Sequence, residues 1–227
     1  MATSAIKGRR SSRGPGRAGG ARSTKGLGVD LAGRLKPSPM PKAPAPMLCT
    51  LVAEPFDNPD WTFEPKFDGL RVLARFDGHS LTLMSRNGKE QSVQFPDVAA
   101  ALRKSLTGPA IVDGEVVCFD DRGRSSFRAL QQRFHLTRPA EIEARMAQYP
   151  ASIYLFDILY VDRFDVTGLP LVERKELLRG AVRWDDRVRW TESTPEVGIK
   201  LWREACRNGD EGIVGKRLDS GYVPTRS

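Results

Sequence analysis

The run Glu64-Pro65-Lys66-Phe67-Asp68-Gly69-Leu70-Arg71 sets a primary amine, two carboxylates and a guanidinium close together in the chain. Read as part of one strand from Phe63 to Phe76, it sends Lys66 and Asp68 to the same face and lets a ligand approach the backbone at Gly69. A lysine there can act as a nucleophile once it loses a proton. With a free pKa near ~10.4 that requires desolvation or neighbouring positive charge, from arginine or a bound cation. Alone, the Lys-x-Asp-Gly pattern is weak, since an exposed strand with a charged pair ahead of a turn reads the same way. Only His79 and His135 are present, and Cys49, Cys118 and Cys206 form neither a CxxC pair nor an even-numbered disulfide set. This argues against a zinc site; a metal here would be oxygen-bound Mg²⁺ or Mn²⁺.

The segments that must hold these groups read as one α+β domain from Met47 onward. Asp77-Gly78 marks a hairpin, Leu81 to Ser85 the return strand, and Asn87-Gly88 a second turn. Val98 to Leu106 has helical spacing, Ile111 to Phe119 is β-rich, and Asp120 to Arg124 is a polar turn. Ser125 or Ser126 caps a helix with Phe127, Leu130 and Phe134 on one face. Thr137 and Pro139 open another that stops by Pro150. Ile153 to Tyr160 is an apolar strand. Pro170 to Arg179 and Glu196 to Arg207 read as helices, the latter closed by Gly209, and Ile213 to Leu218 as strand.

The net charge of +8 over 227 residues is unevenly placed. Residues 1–46 hold ten of the 36 Lys and Arg and one of the 28 acids, so they carry +9 and the remainder −1. That segment, rich in Gly, Pro, Arg and Ser, is expected to be disordered: a phosphate-seeking arm, a solubilising linker or, third, a targeting peptide. No apolar run is long enough to cross a bilayer, so no membrane association is expected.

Further motifs follow in order: Ser85-Arg86-Asn87-Gly88, Asp113-Gly114-Glu115, Tyr154-Leu155-Phe156-Asp157-Ile158-Leu159-Tyr160 and Glu211-Gly212-Ile213-Val214-Gly215-Lys216. With Lys66-Phe67-Asp68-Gly69-Leu70-Arg71 they resemble the motif series of the covalent nucleotidyltransferases, the superfamily of DNA ligases, RNA ligases and messenger-RNA capping enzymes. The resemblance runs from Pro46 to the end and is nearest to the adenylation domains in bacterial multi-enzyme end-joining ligases. It implies a covalent nucleotidyltransferase (ATP-grasp-like) fold, with two mainly antiparallel sheets and flanking helices around a nucleotide cleft. It further implies that Lys66 attacks the α-phosphate of ATP, forming lysyl-AMP and releasing pyrophosphate, and that AMP then passes to a DNA 5′-phosphate for nick sealing in repair and end joining.

In that scheme Asp68 supports the joining step, and Arg71 faces the ribose and the nick phosphate. Glu115 takes the ribose; otherwise it is a strand-end charge. Phe156 stacks on adenine, which a core phenylalanine matches equally well. Arg86 grips the DNA 5′-phosphate; otherwise it is an exposed turn residue. Glu211 positions Mg²⁺ or Mn²⁺, Lys216 adds a phosphate contact, and the main chain at Glu64 and Pro65 reads the adenine edge. Implied partners are nicked double-stranded DNA and end-joining repair proteins, with a monomer in the bacterial cytoplasm at the nucleoid. An RNA ligase or a capping-type enzyme shares the Lys-x-Asp-Gly chemistry, and a non-catalytic nucleic-acid-binding remnant of a ligase is a third reading. The family carries two lysines just beyond a Tyr-x-x-Gly-x-Arg-Ser segment, followed by an oligonucleotide-binding barrel. Here Tyr222-Val223-Pro224-Thr225-Arg226-Ser227 ends the sequence. By itself, then, this polypeptide is expected to bind ATP weakly, to self-adenylylate slowly or not at all, and to seal nicks poorly.

Overall fold

A computed structural model describes residues 31–42 and 45–225. Two sheets form the frame. The small sheet orders three strands as β8-β1-β9: β1 is Asn58–Pro65, β8 Thr194–Glu196 and β9 Ile213–Arg217. The large sheet runs β3-β2-β4-β5-β6, with β2 Leu70–Phe76, β3 Leu81–Ser85, β4 Ala110–Cys118, β5 Ala151–Val161 and β6 Phe164–Asp165. A short β7, Val188–Trp190, pairs parallel with β5; the other pairings are antiparallel. The expected two-sheet α+β plan is therefore present.

One expectation is corrected. Phe63 to Phe76 is not a single strand. The chain leaves the small sheet at Pro65 and enters the large one at Leu70, so Lys66 and Asp68 sit on the crossing between sheets. The break has local causes. Pro65 ends the β1 ladder, the Lys66 N–H donates to Gly212 O at 2.9 Å, and the Asp68 N–H donates to Ser125 Oγ at 3.0 Å, so the crossing is pinned from both sides. Gly69 packs so tightly on β4 that a Cβ would lie 2.4 Å from Val116 O. Only glycine allows that approach.

Register divides the large sheet into two faces. Val72, Ala74, Val112, Val116, Ile153 and Leu155 turn to the main core, where α1 (Pro96–Ser105) contributes Val98 and Leu102, and α4 (Leu171–Ala181) contributes Leu177 and Leu178. Arg71, Leu73, Asp113 and Glu115 alternate onto the opposite face, where Leu73 joins a second apolar cluster with Ile111, Leu159, Tyr160 and Tyr222. In β5 the register passes from Asp113↔Asp157 to Gly114↔Leu155, leaving Phe156 without a residue opposite. This bulge re-aims one side chain at the cleft edge.

Helix α2, Phe127–Gln131, is shorter than the spacing of Phe127, Leu130 and Phe134 suggests; Ser126 caps it by accepting from the Ala129 N–H at 3.3 Å. Helix α3 spans Pro139–Gln148 with Arg138, not Thr137, at its N-cap. Helix α5, Gly198–Asn208, ends on Gly209 at φ 71°. It packs against β1 so closely that a Cβ at Gly198 would meet Phe63 Cε1 at 2.5 Å, and Phe56 O just ahead of the strand at 2.3 Å.

The expected disordered tail also needs redrawing. Residues 1–30 lie outside the described residues, but Leu31 is fully buried in the main core and Leu35 packs against it. The Ser38 N–H donates to Arg163 O at 2.9 Å, the Tyr160 hydroxyl donates to Ser38 O at 2.8 Å, and Arg34 pairs with Glu173. A polar, proline-rich composition hid the two leucines that anchor this stretch. Among the described residues no helix is long and apolar enough to cross a membrane.

Candidate active site

The face formed by Arg71, Asp113 and Glu115 is held by a closed set of hydrogen bonds. Asp113, fully buried, accepts from Arg71 Nε at 3.1 Å and Nη2 at 2.7 Å, and from the Tyr222 hydroxyl at 2.6 Å. Tyr222 in turn accepts from the Met47 N–H at 2.9 Å, which ties both flanks of the domain to one carboxylate. Burial works against the Arg71 charge, but Asp113 more than offsets it, and Arg71 lies above the ordinary arginine value. Burial beside Asp113 likewise holds the Tyr222 hydroxyl well above the usual phenol range, so it remains a donor. Neither Asp113 nor Tyr222 was assigned a role from sequence. Asp113 had a signal, because it precedes Glu115 by two in a strand and must share its face. Tyr222 had none.

Glu115 stands opposite Arg71 on β4. Burial pushes its pKa up to about 8; Arg71 and Lys66 pull it down, while Asp113 and Asp68 push it further up. At neutral pH it is thus mostly a neutral acid, able to donate as well as accept toward a sugar hydroxyl. Arg86 is exposed on the Ser85–Gly88 turn, which closes with the Gly88 N–H donating to Ser85 O at 2.8 Å and Gly88 at φ 72°. Arg86 lines one open pocket with Gly69, Arg71, Glu115 and His135. Lys66, Phe156 and Lys216 are not among its lining residues, although Lys66 acts electrostatically on Glu115 and Arg71 lies over the Phe156 ring.

Across the cleft, the small sheet presents Glu64 and Lys216. Glu64 has a side chain only 3% exposed, with Lys216 Nζ at 2.6 Å from Oε2 and Lys175 Nζ at 2.5 Å from Oε1. Lys175 was missed because a cation on an amphipathic helix reads as solvated. Its spacing from Leu171 and Leu178 nevertheless places it on the inner face of α4, as it does Arg174. Arg174 is buried on Asp157, with Nε at 2.8 Å from Oδ1 and Nη2 at 2.9 Å from Oδ2, fastening α4 to β5 beside the bulge. Phe156 belongs to neither hydrophobic core. It is half-buried, with Lys216 Nζ 4.3 Å and the Arg71 guanidinium carbon 5.4 Å from its ring centre.

Lys66 lies between these walls. Its ammonium pairs with Glu211, both side chains being more than a third exposed, and Gly212 at φ 138° makes the turn that brings Glu211 there. Asp68 points elsewhere: its Oδ2 accepts from the Phe127 N–H at 3.1 Å at the start of α2. Among the described residues no three His, Cys, Asp or Glu side chains form a metal cage. One carboxylate from Glu211 still fits Mg²⁺, which is commonly held by one or two carboxylates with water and substrate phosphates filling its remaining positions.

The profile of the ATP-dependent DNA ligase domain matches residues 46–227. The chain is 34% identical over 193 residues to the multifunctional non-homologous end joining protein LigD of Pseudomonas aeruginosa, covering 84% of this chain and 22% of that protein. It is 40% identical over 177 residues to DNA ligase C of Mycobacterium tuberculosis, covering 74% and 48%. The solved ligase domain of M. tuberculosis LigD matches with a TM-score of 0.65 at 28% identity, over 81% of this chain and 57% of that one. A mycobacterial DNA ligase D complexed with ATP and MES matches equally well, at 27% identity. The chain thus spans less than two thirds of the length of each relative, and the likeness bears out the nucleotidyltransferase fold implied by the motifs.

Proposed function

We propose, from the premise that this chain belongs to the family of ATP-dependent DNA ligase domains, that it performs the nucleotide-charging step of DNA ligation on Lys66. The observation that carries the reading is convergence. One loop places Lys66 between a wall with Arg71 and Glu115 and a wall with Glu64 and Lys216, and Phe156 lies where cations from both walls meet. A lone Lys-x-Asp-Gly strand would give no such enclosure.

In the proposed reaction Lys66 Nζ attacks the α-phosphorus of ATP. The N–P bond forms, the bridging P–O bond to the β-phosphate breaks, pyrophosphate leaves and Nζ gives up a proton. Before attack the amine must part from Glu211, because the pair occupies the nitrogen that has to reach phosphorus. A divalent cation, Mg²⁺ or Mn²⁺, taken by Glu211 would supply positive charge against the triphosphate and draw that carboxylate off the amine. Phe156 provides the stacking surface for adenine, with the main chain at Glu64 and Pro65 on its edge. Glu115 and Arg71 take the ribose, and Lys216 turns to the phosphates.

Arg86 offers a guanidinium fork to the 5′-phosphate of nicked double-stranded DNA. Asp68 supports the later transfer of AMP, after it leaves the α2 N–H. End-joining repair proteins, a monomeric state and a cytoplasmic, nucleoid setting complete the proposal; the end-joining part is supported by the similarity to LigD.

The test is incubation with Mg²⁺ or Mn²⁺ and labelled ATP or GTP. An acid-labile covalent adduct from ATP that is absent in Lys66→Ala is expected. Labelling by GTP alone would transfer the reading to capping chemistry, and no adduct with either nucleotide, even with an oligonucleotide-binding barrel domain added, would overturn it.

A further inference from the structure

Glu64 holds two ammonium groups, and they are not equivalent. Lys216 comes from β9, and its Nζ also sits 4.3 Å from the centre of the Phe156 ring, the surface assigned above to adenine. A purine cannot stack on a ring face that an ammonium occupies. Of the two cations at this ring, Arg71 is fixed by its two bonds to Asp113, whereas Lys216 has a side chain 20% exposed and a single ion-pair partner. Lys216 is therefore the group that gives way, which suits its proposed turn toward phosphate.

Its departure alone would strand a buried carboxylate, and an unpaired buried charge is strongly unfavourable. Lys175 meets that difficulty. It reaches Glu64 from the inner face of α4, lies 4.6 Å over the Trp190 ring, and has a side chain 11% exposed. Among the described residues neither Lys175 Nζ nor Glu64 Oε1 has a hydrogen-bond partner, so what holds these two buried atoms is their own ion pair at 2.5 Å. Burial draws the Lys175 ammonium below the ordinary lysine range; Glu64 opposes the fall and Lys216 adds to it. When Lys216 moves off, one cause of that lowering goes with it, and Lys175 holds its charge on Glu64 more firmly.

We infer that Lys175 is a positioning residue: the permanent counter-ion of Glu64, which lets Lys216 leave Phe156 so that the ring and the freed ammonium both serve the incoming nucleotide. The inference rests on the cleft being the nucleotide site.

The test is titration of the full chain with α,β-methylene-ATP, which binds without transferring AMP, alongside thermal melting of each variant. Lys175→Met should bind at least about tenfold more weakly than the native chain, because Lys216 becomes the sole partner of Glu64 and stays in place. Lys175→Arg should recover most of the affinity. So should the double variant Glu64→Gln with Lys175→Met, in which no carboxylate retains Lys216; a packing role for Lys175 would give no such rescue. Native affinity in Lys175→Met, or a double variant no better than Lys175→Met alone, overturns the inference. If Lys175→Met loses its melting transition, Lys175→Arg and the double variant decide it: native-like binding by both supports the inference, and failure of either overturns it. A native chain that binds no α,β-methylene-ATP removes the nucleotide reading itself, whereas measurable native binding with an indifferent Lys175→Met removes only the role of Lys175.

Discussion

On the large-sheet wall of the cleft, Asp113 is fully buried and accepts three hydrogen bonds, from two Arg71 nitrogens and the Tyr222 hydroxyl, before any ligand arrives. On the opposite side, Lys66 and Glu211 meet as a pair more than a third exposed, and Glu64 shares its charge between two lysines, one resting on the proposed adenine surface. The first arrangement fixes geometry, since removing any member leaves a buried polar group unpaired. The second stores charges that can change partners at low cost. Under the proposed function the site would grip a sugar in one pose and then move an ammonium, a carboxylate and a phosphate, which calls for both kinds of wall. Stability and chemistry should therefore separate between them.

The largest effect is expected from Asp113→Asn, which keeps the shape and removes the charge that Arg71 and Tyr222 share. Breaking a buried pair from one side should cost about 3 kcal/mol or more, a fall in Tm on the order of 10 °C for a domain of this size. A melting temperature within about 2 °C of the native value would mean that the large-sheet wall is not fixed by this network.

A second effect, spread along the pH axis and smaller per pH unit, distinguishes the walls. The folded pKa of Glu115 is pushed up to about 8, chiefly by burial, from an ordinary value near 4.5. Between those values the native state binds more protons than the unfolded one, so stability is fullest below about pH 4.5 and falls as pH rises toward 8. The slope this group adds is at most about 1.4 kcal/mol per pH unit. Glu115→Gln should flatten the wild-type decline between pH 5 and 8 in chemical denaturation. Parallel curves for the two proteins would show that Glu115 ionises normally.

The same division explains what the sequence made legible. Strands with period-two burial were readable from pattern, and so were the hairpin at Asp77-Gly78 and the Gly209 helix stop, because their causes are local. The sheet crossing at Lys66 was not, since its causes are the Gly212 carbonyl, the Ser125 hydroxyl and the bulk of β4 against Gly69, all distant in sequence. Motif residues identified one partner in each contact, as with Arg71, Glu64 and Phe156. The partners that set their orientation, Tyr222 and Lys175, lie far from them in sequence, and even where helical spacing turns Lys175 inward it does not say which carboxylate it meets.

The smallest change in stability should come from the residue proposed to carry the chemistry. The Lys66–Glu211 pair lies on a loop with both side chains more than a third exposed, where water screens the attraction and fixing two long side chains costs entropy. Replacing Lys66 by Ala leaves the loop's own anchors in place, because the Gly212 carbonyl still accepts from the residue-66 N–H and Ser125 from the Asp68 N–H. Lys66→Ala should therefore alter unfolding free energy by no more than about 0.5 kcal/mol in denaturant titration while abolishing the covalent adduct. A loss of about 2 kcal/mol or more would mean that Lys66 braces the crossing as well as acting in the cleft, and the contrast between a fixed wall and an exchangeable one would fail at its centre.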